Sequence, residues 1–392
     1  AEVTLWHYFE HEAPDLEAVA EKYNESQDKI HVTCTYVSRE ELMNQYTIGA
    51  VSGELPDIGM VDSPDMESYI SLGVFEDITD DIKDWDELDQ FYDGPLSSCM
   101  DADGKYYGLP NNSNCLTLCC NMDILNAAGI ENPPTTWEEL DAACAKLKEA
   151  GITPITADDA YLTSFIGYHF ARYIGQDGVK SLVTGEEYNG ESVTWDDEKV
   201  KAAAESFADF AKKGYFSKNI ATNKYPAGQN QEFAPGDAAI VICGSWLPNE
   251  AKDSVADDLE WGYFNYPSVP DGKDDNTANN IANQVLAINK DSKMADKAFQ
   301  LIEYITTGEY DKKMTEDALC IPTDKANSDA WPTELSGVKE AFDATTTFYD
   351  WAAGVESNND ITPVLQENTQ KLASGKLDAA GFIKAMKEAA GQ

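Results

Sequence analysis

Apolar positions near the N-terminus switch repeatedly between two periods. VTLWHYF at 3–9 alternates as a strand does, and beyond Pro14 the residues Leu16, Val19, Ala20 and Tyr23 recur at helical spacing. HVTCTYV at 31–37 alternates again. Ser38 with Glu41 reads as a capping box ahead of a helix to about Ala50, and Pro56-Asp57 leads into a short apolar strand, IGMV, ending at Asp62. Strand, helix, strand, helix, strand is the grammar of an α/β unit with a largely parallel sheet.

From 135 the pattern turns helical. Thr136 and Glu139 form a second capping box, with Trp137, Leu140, Cys144 and Leu147 following on one face. A helix near 196–213 uses Val200, Ala203, Phe207 and Phe210. Strands AAIVI (238–242) and QVLAI (284–288) come later, and the chain from about 360 is helical through Ile361, Val364, Leu365, Leu372, Phe382, Ile383 and Met386. Neither an internal repeat nor a Pro-rich linker separates these stretches, so two α/β lobes would exchange the chain more than once.

Length and composition sharpen this. A chain of 392 residues is too long for one core, so two lobes are expected. Hydrophobic residues at 42% exclude a disordered chain and a membrane bundle, and no apolar run approaches the roughly 18 residues that cross a bilayer. With 28 Lys+Arg against 71 Asp+Glu the formal net charge is −43, a surface that repels nucleic acid and anionic lipid. It also disfavours uronates and phosphosugars as ligands. The eight cysteines include no CxxC pair; Cys144 reads as a buried free thiol.

Enzyme signatures are nearly missing: there is no GxxxxGK[ST], GxSxG or GxGxxG. His7-Tyr8-Phe9-Glu10-His11 spells HxxEH, but zinc chemistry needs both histidines one helical turn apart and a third ligand. This stretch starts in a strand and runs into a turn before Pro14, so no metal is expected. DADGKYYG opens like a calcium loop, yet no Glu closes it, and a tight turn accounts for it better. Among 71 acids a glycosidase-like carboxylate pair has no diagnostic value. No cofactor is expected.

Aromatics carry more information. Trp6, Tyr8, Trp246, Trp331, Tyr349 and Trp351 sit where strands end or segments turn, and Asn111, Asn112, Asn114, Asn279, Asn280 and Asn283 cluster near predicted strand ends. Core packing is the ordinary role of any one such ring. Together with amides and carboxylates, flat rings suit a neutral sugar, whose C–H face stacks while its hydroxyls take hydrogen bonds.

Several segments, taken in order, resemble the extracellular solute-binding proteins of the maltose-binding-protein type (family 1). They are VTLWHYFEHEAPDLEAVAEKYNE, LPDIGMVDSPDMESYISLGVFEDIT, GKYYGLPNN with LCCNMDILNAAGIENPPTTWEELDAACAKLK, GDAAIVICGSW, FNYPSVPDG, DSKMADKAFQLIEYITTGEYDKKM and CIPTDK. The resemblance implies a two-lobed α/β periplasmic-binding-protein-like fold (type II), with a hinge between lobes and ligand in the cleft. One lobe would hold 1–110 and 262–315, the other 111–261 and 316–392, with Leu109-Pro110 and Tyr266-Pro267 near the crossings.

The resemblance further implies the substrate-binding component of an ABC importer, not an enzyme. It would capture a neutral mono- or oligosaccharide by hinge closure and deliver it to the permease transmembrane subunits. A monomer is expected, outside the cytoplasm: a cell-surface lipoprotein in a Gram-positive bacterium, or periplasmic in a Gram-negative one. Trp246 is the expected stacking platform. Tyr8 and Glu12 follow the first strand, Asp62 and Ser63 end the third, and Asn111 and Asn112 follow the hinge strand. Asn283 stands where the family usually has Gly, which places a polar side chain at the cleft mouth. Tyr349 and Trp351 would set specificity. A cation such as a polyamine, held by Asp62 and Glu12 beside aromatic faces, is the alternative ligand, and an extracellular glycosidase a distant one.

Overall fold

The computed structural model describes every residue of the chain except His11, Asp84 and Pro226. Its strands are β1 (Glu2–His7), β2 (His31–Tyr36), β3 (Ile58–Asp62), β4 (Leu109–Asn121), β5 (Thr153–Thr156), β6 (Ala238–Gly244), β7 (Trp261–Phe264), β8 (Ala278–Ile288) and β9 (Thr347–Tyr349). The chain divides into two compact units, one of Ala1–Asn114 with Ile281–Ser336, the other of Cys115–Asn280 with Gly337–Gln392.

In the first unit β1 pairs in parallel with both β2 and β3, and β3 pairs antiparallel with the end of β8, Ile58 opposite Ile288. Val3 and Leu5 of β1 alternate into the core, where they meet Leu16, Val19 and Tyr23 of the helix Ala13–Ser26. The helix Arg39–Ser52 begins at Ser38, whose hydroxyl accepts from the Glu41 N–H at 3.2 Å. Only this half of the expected capping box is made there; at Thr136 and Glu139 both halves are present.

In the second unit β5 and β6 are parallel, β4 runs antiparallel to both β6 and β7, and β9 lies parallel to the start of β8. The predicted α/β class and the helices near 137 and 198 stand as read. One element had no signature: the helix Asp159–Thr184, bent at Gly175, is buried on every face, so no amphipathic stripe marks it. β8 also begins earlier than its apolar residues suggest, because Asn279 and Asn280 are buried in it with hydrogen-bond partners.

The chain passes between units at 114/115, 280/281 and 336/337, later in each case than the expected 110/111, 261/262 and 315/316. Pairing is the reason. β7 is held to β4 from Leu118 to Asn121, which keeps 261–264 in the second unit. The Asp311 carboxylate accepts from the Thr323 N–H and hydroxyl at 2.9 Å and the Asp324 N–H at 3.3 Å, which keeps that stretch in the first.

Arg172, fully buried on the long helix, organises the second unit. Its Nε donates to the carbonyls of Tyr266 and Pro267 (3.2 Å each), Nη2 to those of Tyr266 (2.7 Å) and Ala278 (2.9 Å), and Nη1 to the Tyr349 hydroxyl (3.0 Å). Arg172→Ala would strand these acceptors without donors. It is expected to destabilise the second unit by about 3 kcal/mol or more, read by chemical denaturation. A loss below about 1 kcal/mol, the worth of one ordinary hydrogen bond, would refute this role.

Candidate functional site

β5 and β6 are parallel, and the segments leaving their C-terminal ends bring a group of side chains together, the usual place for ligands in α/β sheets. β6 ends at Gly244, followed by Ser245 and Trp246. The indole of Trp246 lies across the glycine, and a Cβ there would overlap the ring. Trp246 Nε1 donates to the Tyr161 hydroxyl at 3.2 Å. Trp351 stacks on Trp246 with centroids 6.4 Å apart and planes 26° apart, and lies 6.3 Å from the Tyr161 ring. Tyr225 extends the group from Tyr161 at 6.0 Å and is mostly exposed.

Polar groups surround these rings. Asp158 caps the long helix, its Oδ1 accepting from the Tyr161 N–H at 3.1 Å, while its own N–H donates to Gln229 Oε1 at 3.3 Å. Asn230 Nδ2 donates to Glu250 Oε1 at 2.6 Å, and Glu250 lies one helical turn past Trp246. Among the described residues, Asp158 Oδ2, Gln229 Nε2, Asn230 Oδ1 and both amide atoms of Asn249 are buried without a hydrogen-bond partner. Buried donors and acceptors left unmatched are costly unless another molecule satisfies them. A hydroxyl, donor and acceptor at once, matches such a mixture.

Charge in this group is tuned by burial. Burial pushes the Asp158 carboxyl up to about 6 against the Tyr161 hydrogen bond, with Asp159 and Glu250 adding to the rise. Glu232 shows the opposite balance. Burial opposes its ionisation, yet donors on Ser217, Thr156, Asn223 and Asn219 hold its carboxyl below the ordinary value. That fixes the short helix Asn230–Phe233 beside the end of β5. The nearby cation, Lys224, is paired with Asp159 at 2.7 Å.

The residues expected from the first unit form a separate polar group. The Tyr8 hydroxyl donates to Asp62 Oδ1 at 2.7 Å, Gln284 Nε2 to the same oxygen at 3.2 Å, and Arg39 Nε to Oδ2 at 2.6 Å. The acceptors of Asp62 are therefore engaged by the protein. The Ser63 hydroxyl accepts from the Asn283 N–H at 3.2 Å. Asn283 is fully buried, with Oδ1 accepting from the Ser98 hydroxyl at 3.0 Å. Glu12 is buried at the start of its helix. Asn112 takes a left-handed φ of 60° within β4, and buried Asn111 beside it has an unpartnered Nδ2.

Trp246 and Trp351 thus come together, while Tyr349 goes elsewhere. Its hydroxyl donates to Asp274 at 2.6 Å and accepts from Arg172, a support two residues from Trp351. Sequence reasoning missed Tyr161, Asp158, Gln229 and Asn249. Tyr161 belongs to the helix with no stripe, and the others lie in short segments where no periodicity acts. His7 is buried, neutral at ordinary pH because burial lowers it to about 4, and ends a strand; His11 of the HxxEH motif lies outside the described residues. Among the described residues no His, Cys, Asp and Glu group could hold a metal ion, and all eight cysteines are free. Asp101 Oδ1 accepts from the Asp103 and Lys105 N–H groups at 2.9 Å, the tight turn expected of DADGKYYG.

The electrostatics of Asp158 predict a pH signature. Its folded value, about 6, lies above the unfolded value, so its contribution to stability is complete below about 4 and is lost as pH rises through 6. Asp158→Asn keeps a capping oxygen and removes this loss. The variant should gain relative to the parent between pH 4 and 7 by about 2 kcal/mol at most, read as the difference in unfolding midpoint. A difference that stays flat across that range would show that Asp158 is not perturbed.

Comparison with known proteins gives the fold and the family. A binding protein of Brucella abortus (strain 2308) is 22% identical over 331 residues, 82% of this chain and 76% of its own length. The sn-glycerol-3-phosphate-binding periplasmic protein UgpB of Rhizobium meliloti is 29% identical over 176 residues, 42% of this chain and 38% of its own. Among solved structures, a chitin oligosaccharide binding protein superposes with a TM-score of 0.77 at 22% identity, over 99% of this chain and 97% of that one. The sugar-binding protein MalE of Xanthomonas citri gives 0.77 at 16% identity, over 99% and 96%. These structural likenesses establish the two-lobed α/β fold. The family described as bacterial extracellular solute-binding protein matches residues 18–339, most of the sequence, and the chain belongs to that family.

Proposed function

We propose that this chain captures a neutral sugar or oligosaccharide outside the cytoplasm and hands it to the permease subunits of an ABC importer, without transforming it. The observation that carries the reading is the Tyr161–Trp246–Trp351 group with the unpartnered atoms of Asp158, Gln229, Asn230 and Asn249 around it. Rings supply stacking faces, and unmatched amides and a carboxylate supply directional partners for hydroxyls. A chitin oligosaccharide binding protein and the sugar-binding protein MalE, which share this fold, lend support.

An anionic solute, such as the glycerol phosphate in the name of UgpB, fits this group less well. Its carboxylates would repel a phosphate, and Lys224 is already paired. The family is one of binding proteins, which supports capture without catalysis. The chain passages at 114/115, 280/281 and 336/337 are the proposed hinge, and a monomer carried as a surface lipoprotein is the proposed state.

A thermal-shift plate of neutral mono- and oligosaccharides, sugar phosphates and polyamines tests this. A ligand at 100 times its Kd should stabilise the protein by about 2.7 kcal/mol. We expect a selective rise with a neutral glycan, no hydrolysis of it, and no rise in Trp246→Ala, whose unliganded melting stays cooperative. A rise confined to polyamines or phosphates, or unaltered glycan binding by Trp246→Ala, would overturn the reading.

A further inference from the structure

Immediately after Trp351 the backbone does something unusual. Ala352, Ala353 and Gly354 take φ values of 50°, 53° and 80°, three successive left-handed residues of which two carry a Cβ. L-residues avoid this region because Cβ crowds the following carbonyl, so consecutive left-handed alanines persist only where the surroundings impose them. Both alanines are fully buried.

What imposes the turn is visible on the long helix. Gly167 faces it so closely that a Cβ on Gly167 would overlap the Ala352 carbonyl oxygen, and the next contact is Val355. A Cβ on Gly354 would likewise meet the stem of Lys180, 2.7 Å away. Both flanks are anchored. Upstream, Lys180 pairs with the Asp350 carboxylate, the Asp350 N–H donates to Gln176, and the Tyr349 hydroxyl is held by Asp274 and Arg172. Downstream, the Val355 N–H donates to the Ala352 carbonyl at 3.2 Å, and the half-buried Glu356 carboxylate takes a hydrogen bond from Trp351 itself. A segment fixed at both ends and forced into a tight left-handed turn has little freedom in where it aims the residue at its entrance. That residue is Trp351, stacked on Trp246.

We propose that the Ala352–Gly354 turn, seated against Gly167, is the device that positions Trp351 beside Trp246, and that Gly167 and Gly354 are positioning residues for solute binding. The proposal rests on the reading of Trp246 and Trp351 as the stacking platform, but its geometric half can be tested without any solute. Two indoles 6.4 Å apart with planes 26° apart couple their transitions and give an exciton couplet in far-ultraviolet circular dichroism.

Parent, Trp246→Phe and Trp351→Phe define the couplet by difference. Gly167→Ala pushes on the Ala352 carbonyl, and Gly354→Ala pushes on the Lys180 stem from a left-handed position of φ 80°. In both we expect a cooperative melt, a couplet reduced to less than about half, and a Kd weakened by roughly ten-fold. The Kd is read with whichever of maltotriose, cellotriose, xylotriose or triacetylchitotriose stabilises the parent. Gly190→Ala, on an exposed turn, serves as the control and should change neither.

Should Gly167→Ala fail to fold, Gly354→Ala decides. Retention of the parent couplet and affinity in the folded variants would overturn the proposal. Loss of the couplet with unchanged affinity would overturn the role in binding. If no trisaccharide binds the parent, Kd is read with the neutral sugar that stabilises it on the thermal-shift plate; if none does, the reading of the solute fails, and the couplet still decides whether the turn sets the geometry of the two rings.

Discussion

A guanidinium sealed inside an α/β core must find an acceptor for nearly every N–H, and the acceptors around Arg172 come from parts of the chain far apart in sequence. Carbonyls of Tyr266, Pro267 and Ala278 and the hydroxyl of Tyr349 converge on it, with the rings of Tyr168, Tyr266 and Tyr349 around its charge. One side chain on the long helix therefore fixes where β8 begins and where β9 ends. Trp351 follows β9 and Tyr161 lies on the same helix as Arg172, so the aromatic group inherits its geometry from this buried charge.

The chemistry of the site contrasts with the surface. A chain carrying −43 spends most of its acids on solvated faces, where they repel anions and keep the protein dispersed. Near the rings a few carboxylates stand in very different surroundings. Asp158 is pushed up by burial, whereas Glu232 is held down by its hydroxyl and amide donors. The second is a structural acceptor already satisfied. The first retains an oxygen without a hydrogen-bond partner, the atom the proposed solute would meet.

Backbone strain and side-chain packing work together here. Gly244 allows the Trp246 indole to lie on the strand end, and Gly167 allows a left-handed turn to sit against a helix. Neither glycine contributes a contact of its own; each lets another segment approach closely enough to fix an aromatic ring. Such close approaches make the ring positions sensitive to changes outside the aromatic group itself.

The sequence by itself determined the class of the fold and its two lobes. Alternation at 3–7 and 31–36, the helical stripe through Leu16 and Tyr23, and the Thr136 cap are local signals written within a few residues of the elements they specify. It also singled out Trp246, which follows the apolar strand at 238–242, and, through the family resemblance alone, Trp351. Tertiary structure decided the rest. A helix buried all round has no polar face to betray its period, so Tyr161 and Arg172 could not be read. Asn283 and Tyr349 have the composition of ligand contacts, and within the protein the Asn283 amide meets the Ser98 hydroxyl and the Gln284 carbonyl while the Tyr349 hydroxyl meets Asp274 and Arg172. Whether a polar side chain meets a solute or the protein depends on which distant partner reaches it first, and that information exists only once the chain has folded.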